Sequence, residues 1–345
     1  MSTVCIRCGA PVEAHPSSLC TEAQMLHSTP VRSPLDSLVD TVAAHLPPTR
    51  HRLDTPGARW MWLWPLDQCD TEPEIRALCA TLREHGVTGI VPQQGSAAVA
   101  WARRWGRLVA SLGLQVVIGL GHLSARIVCD AIATAKAGHA AGVMHDEEEW
   151  KSVPDSDALT AAVLVEHPDA ADWCADCHYP CLTTAGEGGG PTGHHRIAKA
   201  WAPVSGLRAP QCYWNSTPKS FAADGWVSRR LAWAREDYPR AGGSPASRVR
   251  ASVQLYRRSV NDHAALLLAE SESGSVWLWD WRQADASAKL ALRVVREIER
   301  AGHTGPDAVR AYQAARGLTA DGIVGPQTCA ALGLGVRADV AWSKR

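Results

Sequence analysis

The sequence predicts an α/β fold. A closed (β/α)8 barrel is expected over residues 57–302, with a small helical module over 303–345 and an irregular Cys/His-containing arm over 1–56. Three observations lead there. From Arg59 onward, short apolar runs alternate with helix-like stretches, which is the pattern of a parallel sheet with helical crossovers. The alternation gives eight strand candidates over about 245 residues, the size of a closed barrel. No phosphate-binding glycine fingerprint follows the first strand, which reads Trp62-Leu63-Trp64-Pro65-Leu66-Asp67, so an open doubly wound sheet lacks its usual mark.

The strand candidates are Trp60–Trp64, Val87–Val91, Gln115–Leu120, Gly142–Asp146, Asp172–Cys177, Gln211–Trp214, Ala251–Tyr256 and Ser275–Trp281. Between them lie helix candidates at Glu72–His85, Ala97–Leu112, Ala125–Ala137, Lys219–Asp237 and Ser287–Ala301. The fifth unit is the least regular, because the glycine-rich stretch from Thr183 to His195 shows no helical period. In the arm, Asp36 to Leu46 can form one short amphipathic helix before Pro47-Pro48 ends it.

Composition narrows the function. The chain has 345 residues, 46% of them apolar, enough to bury a sizeable core. Lys+Arg and Asp+Glu both number 35, and no basic, aromatic-interleaved face appears, so nucleic acid is not an expected partner. No apolar run is long enough for membrane insertion, and the first residues carry no secretory pattern. A protein made in the cytoplasm is expected. The aromatic count is unusual, at 15 Trp against one Phe. Trp60, Trp62 and Trp64 alternate in the first strand, and Trp277, Trp279 and Trp281 in the last. These strands adjoin in a closed barrel, so most of the six are read as packing. If Asp280 points inward, the last three indoles point outward to the helices.

Active sites of such barrels lie at the C-terminal ends of the strands. The acids found there are Asp146 and Glu148 after strand four, Asp176 after strand five, Asp280 after strand eight, and Asp67 beyond strand one. Asp146 and Glu148, two residues apart, would share one face of an extended chain. Crowded carboxyls separate into a protonated acid and an ionised partner, the requirement of glycoside hydrolysis. Glu147 and Glu149 are read as solvated. Trp64, Trp150 and Trp214, at or past strand ends, are placed to stack on sugar rings.

Two stretches of cysteine suit other roles. Cys5-x2-Cys8-x6-His15-x4-Cys20 approaches the spacing of a zinc knuckle, so a structural zinc in the arm is expected and no catalytic cofactor. Cys174, Cys177, His178 and Cys181 are read mainly as strand packing. No Gly-x-Ser-x-Gly elbow supports a serine hydrolase.

Two family resemblances follow from these residues. Residues 304–334 contain Tyr312-Gln313, Gly317-Leu318, Asp321-Gly322-Ile323-Val324-Gly325-Pro326 and a closing helix. This resembles the peptidoglycan-binding domain 1 family, with Tyr312 in place of the usual Phe and Cys329 where Trp is common. The family's first helix is absent, and the last barrel helix can stand in for it. The barrel region resembles the family 25 glycoside hydrolases, lysozyme-type TIM barrels, in its acid-x-acid after strand four, its Gln254-Leu255-Tyr256 strand and its Trp-rich last strand. That resemblance implies Glu148 as general acid and Asp146 as its charged partner. It also implies Asp176 and Asp280 as residues that position sugar or stabilise charge. The family's first strand carries an Asp within an Asp-Val-Ser-like motif; here Asp67 lies three residues past the strand, and it is read with Tyr256 as a substrate contact. Together the resemblances imply a muramidase-like enzyme with peptidoglycan as partner. It would act at the wall after lysis, as an endolysin, or on a phage tail-like particle whose other subunits are further partners. A glycosidase-like barrel without activity, serving such a particle, is the second expectation.

Overall fold

The computed structural model describes residues 51–63, 69–93, 95–121, 124–146, 153–177, 201–212, 231–232, 234–236, 249–255, 259–335 and 339–342, all within one compact unit, His51–Arg345. Its strands are β1 (Arg59–Leu63), β2 (Gly89–Pro92), β3 (Gln115–Leu120), β4 (Gly142–His145), β5 (Cys174–Asp176), β6 (Leu207–Arg208), β7 (Ser252–Gln254) and β8 (Val276–Trp279). All pair in parallel, in the order β6-β5-β4-β3-β2-β1-β8-β7. Parallel bridges Arg208↔Val249 and Gln211↔Ser252 join the two ends of that order, so the sheet closes on itself. The sixth strand differs from the sequence expectation. The paired residues are Leu207–Arg208, upstream of the expected run, and Gln211 contributes an isolated bridge.

Helices α1 (Glu72–Glu84), α2 (Ser96–Ser111), α3 (Ala125–Thr134), α4 (Val153–Glu166), α5 (Ala170–Trp173), α6 (Val260–Ser273) and α7 (Ala286–Arg300) belong to the barrel region. The last shows why these segments are helical. Asp285 caps it by accepting from Ala288 N at 2.9 Å, and Leu290, Ala291, Val294, Val295 and Ile298 recur along one buried stripe. The expected helix Lys219–Asp237 lies largely outside the described residues.

Strand alternation sorts the core into two clusters. Met61, Ile90, Ile118, Val143, Val253 and Leu278 face the helices. Trp60, Trp62, Val91, Val117, Met144, Ala175, Leu207 and Trp277 fill the barrel interior. The indoles need room, and small residues on the neighbouring strands give it. A Cβ at Gly89 would overlap the Trp60 ring, and one at Gly119 would sit 3.1 Å from the Trp62 ring. Trp60 stacks on Trp277 and Trp62 tilts against Trp279, each pair with centroids 5.4 Å apart. Trp277 and Trp279 therefore point inward, not toward the helices as expected from an inward Asp280.

The segment before β1 plugs the N-terminal end of the barrel. Leu53 is buried in the interior cluster, and its carbonyl accepts from Trp60 Nε1 at 3.0 Å. Asp54 takes a two-pronged bond from Arg250, at 2.7 and 2.6 Å, and accepts from Ser275 N at 3.1 Å.

Helices α8 (Ala308–Ala315) and α9 (Pro326–Ala331) form the C-terminal module. Its buried Val309, Tyr312, Val324 and Cys329 join the same apolar cluster as Leu290, Val294 and Ile298 of α7. The last barrel helix thus supplies a packing face to the module. Asn261 of α6 bonds Val324 through both its amide nitrogen and its amide oxygen, and Ala341 bonds Val260 N and Ser287 Oγ.

Candidate active site at the barrel mouth

Asp146 follows β4 by one residue and keeps the inward parity of Met144. It is 8% exposed. Its two carboxylate oxygens accept from two amides on other strands: Gln93 Nε2 at 2.5 Å and Gln211 Nε2 at 3.1 Å. Gln93 follows β2 and pairs with Gly119, and Gln211 bridges to Ser252, so both amides stand on backbone fixed by the barrel. Two N–H donors facing a carboxylate hold it as an acceptor in one orientation. Beneath this polar layer lie Trp62 and Trp279. Sequence reasoning missed both glutamines. Once the structure shows Val91 and Ala209 facing inward, strand parity places Gln93 and Gln211, each two residues further on, inward as well.

The other expected acids are placed differently. Asp176 has outward parity and forms an ion pair with Arg208, both side chains fully buried. Its carboxylate is engaged in the barrel wall, beside His145 on the neighbouring strand, whose ring stacks on Trp201 with centroids 4.5 Å apart. Asp280 is a turn cap. It accepts from Arg282 N at 2.8 Å, Gln283 N at 3.0 Å and Gln283 Nε2 at 2.9 Å. Burial pushes its carboxyl above the ordinary value, against those bonds, which pull the other way. Asp176 and Asp280 thus lie on the opposite parity to the interior residues of their own strands, Ala175 and Trp279, and their carboxylates are engaged in the wall and in a turn.

Glu148, Trp64, Asp67, Trp150, Trp214 and Tyr256 lie outside the described residues, as do Cys5, Cys8, His15 and Cys20 of the arm. Cys174 and Cys177 are buried on opposite faces of the barrel wall, which accords with packing. Burial raises the Cys174 thiol and pushes Cys79, Cys129 and Cys329 up to about 11, so these thiols stay protonated near neutral pH.

In the module, Gln313 is the hub. Its Nε2 donates to Asp321 Oδ1 and Ile323 O, both at 2.9 Å, and to Thr328 Oγ1 at 3.2 Å, while its Oε1 accepts from Gly322 N at 2.8 Å. Gly322 sits at φ 75°, a conformation that favours glycine. The Tyr312 hydroxyl donates to Ala331 O at 2.8 Å, so the extra oxygen relative to Phe is satisfied.

The molecule is thus a (β/α)8 barrel with one gripped carboxylate at its mouth and a glutamine-centred helical module against its last helix. Residues 306–332 match the family described as "Putative peptidoglycan binding domain". Among curated proteins, none matches this sequence. Among solved structures, the spore cortex-lytic enzyme SleL of Bacillus megaterium QM B1551 is similar at TM-score 0.48 and 10% identity, over 69% of this chain and 74% of that one. Active domain 2 of the thermostable chitinase of Pyrococcus furiosus is similar at TM-score 0.49 and 12% identity, over 73% and 99%. Dihydrodipicolinate synthase of Rhodopseudomonas palustris is similar at TM-score 0.41 and 13% identity, over 81% and 97%. A barrel of this kind hosts many chemistries. No helix among the described residues is long and apolar enough to cross a membrane.

Proposed function

We propose that this chain acts on peptidoglycan: the barrel hydrolyses the glycan, muramidase-like, and the C-terminal module holds it to the cell wall. The observation that carries this reading is the peptidoglycan-binding match at 306–332, in a segment packed onto the barrel's last helix. Asp146 supports the catalytic half, being an oriented carboxylate at the mouth. In this mechanism Glu148 protonates the leaving oxygen, and ionised Asp146 faces the positive charge that develops on the sugar. Trp64, Trp150 and Trp214 would stack on neighbouring rings, and Asp67 and Tyr256 would bind hydroxyls. Holding the barrel on an insoluble polymer raises the local concentration of bonds to be cut. The arm would carry zinc on Cys5, Cys8, His15 and Cys20, which metal analysis of the purified chain and its Cys5→Ser variant tests.

The reading is tested by digesting purified peptidoglycan and weighing the soluble products by mass spectrometry. Glu148→Gln is expected to lower release of reducing ends by about 10²–10⁴-fold, the usual worth of a general acid. Asp146→Asn should lower release as well. The glycosidase reading fails if the wild-type chain binds the wall and releases no reducing sugar. That result favours the second reading, a binding barrel on a phage tail-like particle, in which the amides holding both oxygens of Asp146 serve structure alone.

A further inference from the structure

Outside the barrel mouth, a cavity of about 340 Å³ opens where the C-terminal tail crosses the last barrel helix. Its lining includes His85 at the end of α1, Lys289, Leu290 and Arg293 on α7, and Asp339 and Val340 of the tail. The walls are fixed on both sides. The tail is fastened by Ala341 N to Ser287 Oγ at 2.8 Å and by Val260 N to Ala341 O at 3.1 Å. On the opposite wall, His85 is held by Thr81 O at 2.7 Å and stands edge-on to Trp281, with centroids 5.0 Å apart.

The cations of α7 are treated unequally. Arg296 and Arg300 share Glu297 at 3.2 and 3.3 Å, and Glu299 takes Arg59 at 2.5 Å. Lys289 and Arg293, one turn apart on the same face, have no carboxylate partner among the described residues. Lys289 instead lies 4.7 Å over the Trp281 ring. Their charge is felt locally: His85 is held below the ordinary histidine value, first by burial and then by the Arg293 and Lys289 charges. Two like charges at this spacing repel each other, and an anion between them would remove the cost.

We propose that this cavity is a carboxylate-binding subsite that takes an acidic residue of the wall's peptide stems, Lys289 and Arg293 receiving the carboxylate. Leu290 and Val340 suit the aliphatic part of such a residue. The inference rests on the peptidoglycan reading above. It gives the module's neighbourhood a peptide contact distinct from the glycan contact at the barrel mouth.

The test is calorimetric titration of the full chain with a synthetic alanyl-glutamyl-lysyl-alanine stem peptide bearing free carboxylates. Arg293 is exposed and Lys289 half-buried at the surface, so neutral replacements leave the core intact. Lys289→Gln with Arg293→Gln is expected to weaken binding about tenfold or more, as loss of charge-assisted hydrogen bonds does. The carboxyl-amidated peptide should bind the wild-type chain about tenfold more weakly by the same reasoning. Arg293→Lys should retain binding. Equal affinity of the double variant or of the amidated peptide overturns the proposal, as does displacement of the peptide by an equal concentration of inorganic phosphate. The two readings fail separately. If the wild-type chain binds peptide but releases no glycan product, only the glycosidase reading falls; if it releases product but binds no peptide, only this one does.

Discussion

The barrel interior and the C-terminal module are held together by opposite means. The interior is filled by indoles contributed by β1 and β8, which are more than 200 residues apart in sequence yet hydrogen-bonded neighbours. Trp60 and Trp277 stack there, seated against a glycine on the next strand. In the module the polar hub is one side chain, Gln313, whose partners all lie within 15 residues of it. Long-range packing of large rings can be achieved by many sequences of similar volume. A buried amide with four polar partners cannot, because each partner must sit in its place. That difference explains why the module carries a recognisable family pattern and the barrel carries only an architecture.

The contrast can be broken by substitution. Trp60→Ala, at a fully buried ring, is expected to cost about 3–5 kcal/mol of global stability, measured by urea unfolding. Gln313→Ala should cost less, about 1–3 kcal/mol, from backbone groups left without partners. Its signature is local: hydrogen exchange at Gly322 should quicken while amides of β1 and β2 keep their protection. If Gln313→Ala instead speeds exchange throughout the barrel, the module is part of the barrel's cooperative unit and the contrast fails. The smallest effect concerns Glu270 on α6, the helix that also carries Asn261. Burial raises the Glu270 carboxyl above its ordinary value, outweighing Arg235 and Arg250. The folded state then holds the proton more tightly than the unfolded chain. Stability from this group is present at low pH and lost as pH rises through the window above the ordinary glutamate value. Glu270→Gln should remove that part of the slope, seen by comparing unfolding midpoints of both proteins across the window.

Much of the fold was legible because it depends on local pattern. The register of apolar runs located β1, β3, β4 and β8 within a few residues, and the Asp-Gly-Ile-Val-Gly-Pro loop announced the module. The sixth strand was misplaced because Leu207–Arg208 is too short to show a period and is held by pairing with β5. At the mouth, Asp146 was found from its acidic run, but its partners were not: a glutamine after a strand looks like any surface glutamine until the neighbouring strands bring it within bonding distance.

The indoles show where that limit lies. By itself, the sequence determined that Trp would alternate along the first and last strands, that acids would end several strands, and that residues 306–332 carry a peptidoglycan-binding pattern. Only the tertiary structure decided which side of each strand faces the lumen. A shift of one residue exchanges inside for outside along a whole strand, and sequence spacing is the same either way. Parity turned Trp277 and Trp279 inward, sent Asp176 to Arg208 in the wall and Asp280 to a turn, and left Asp146 between two amides at the mouth.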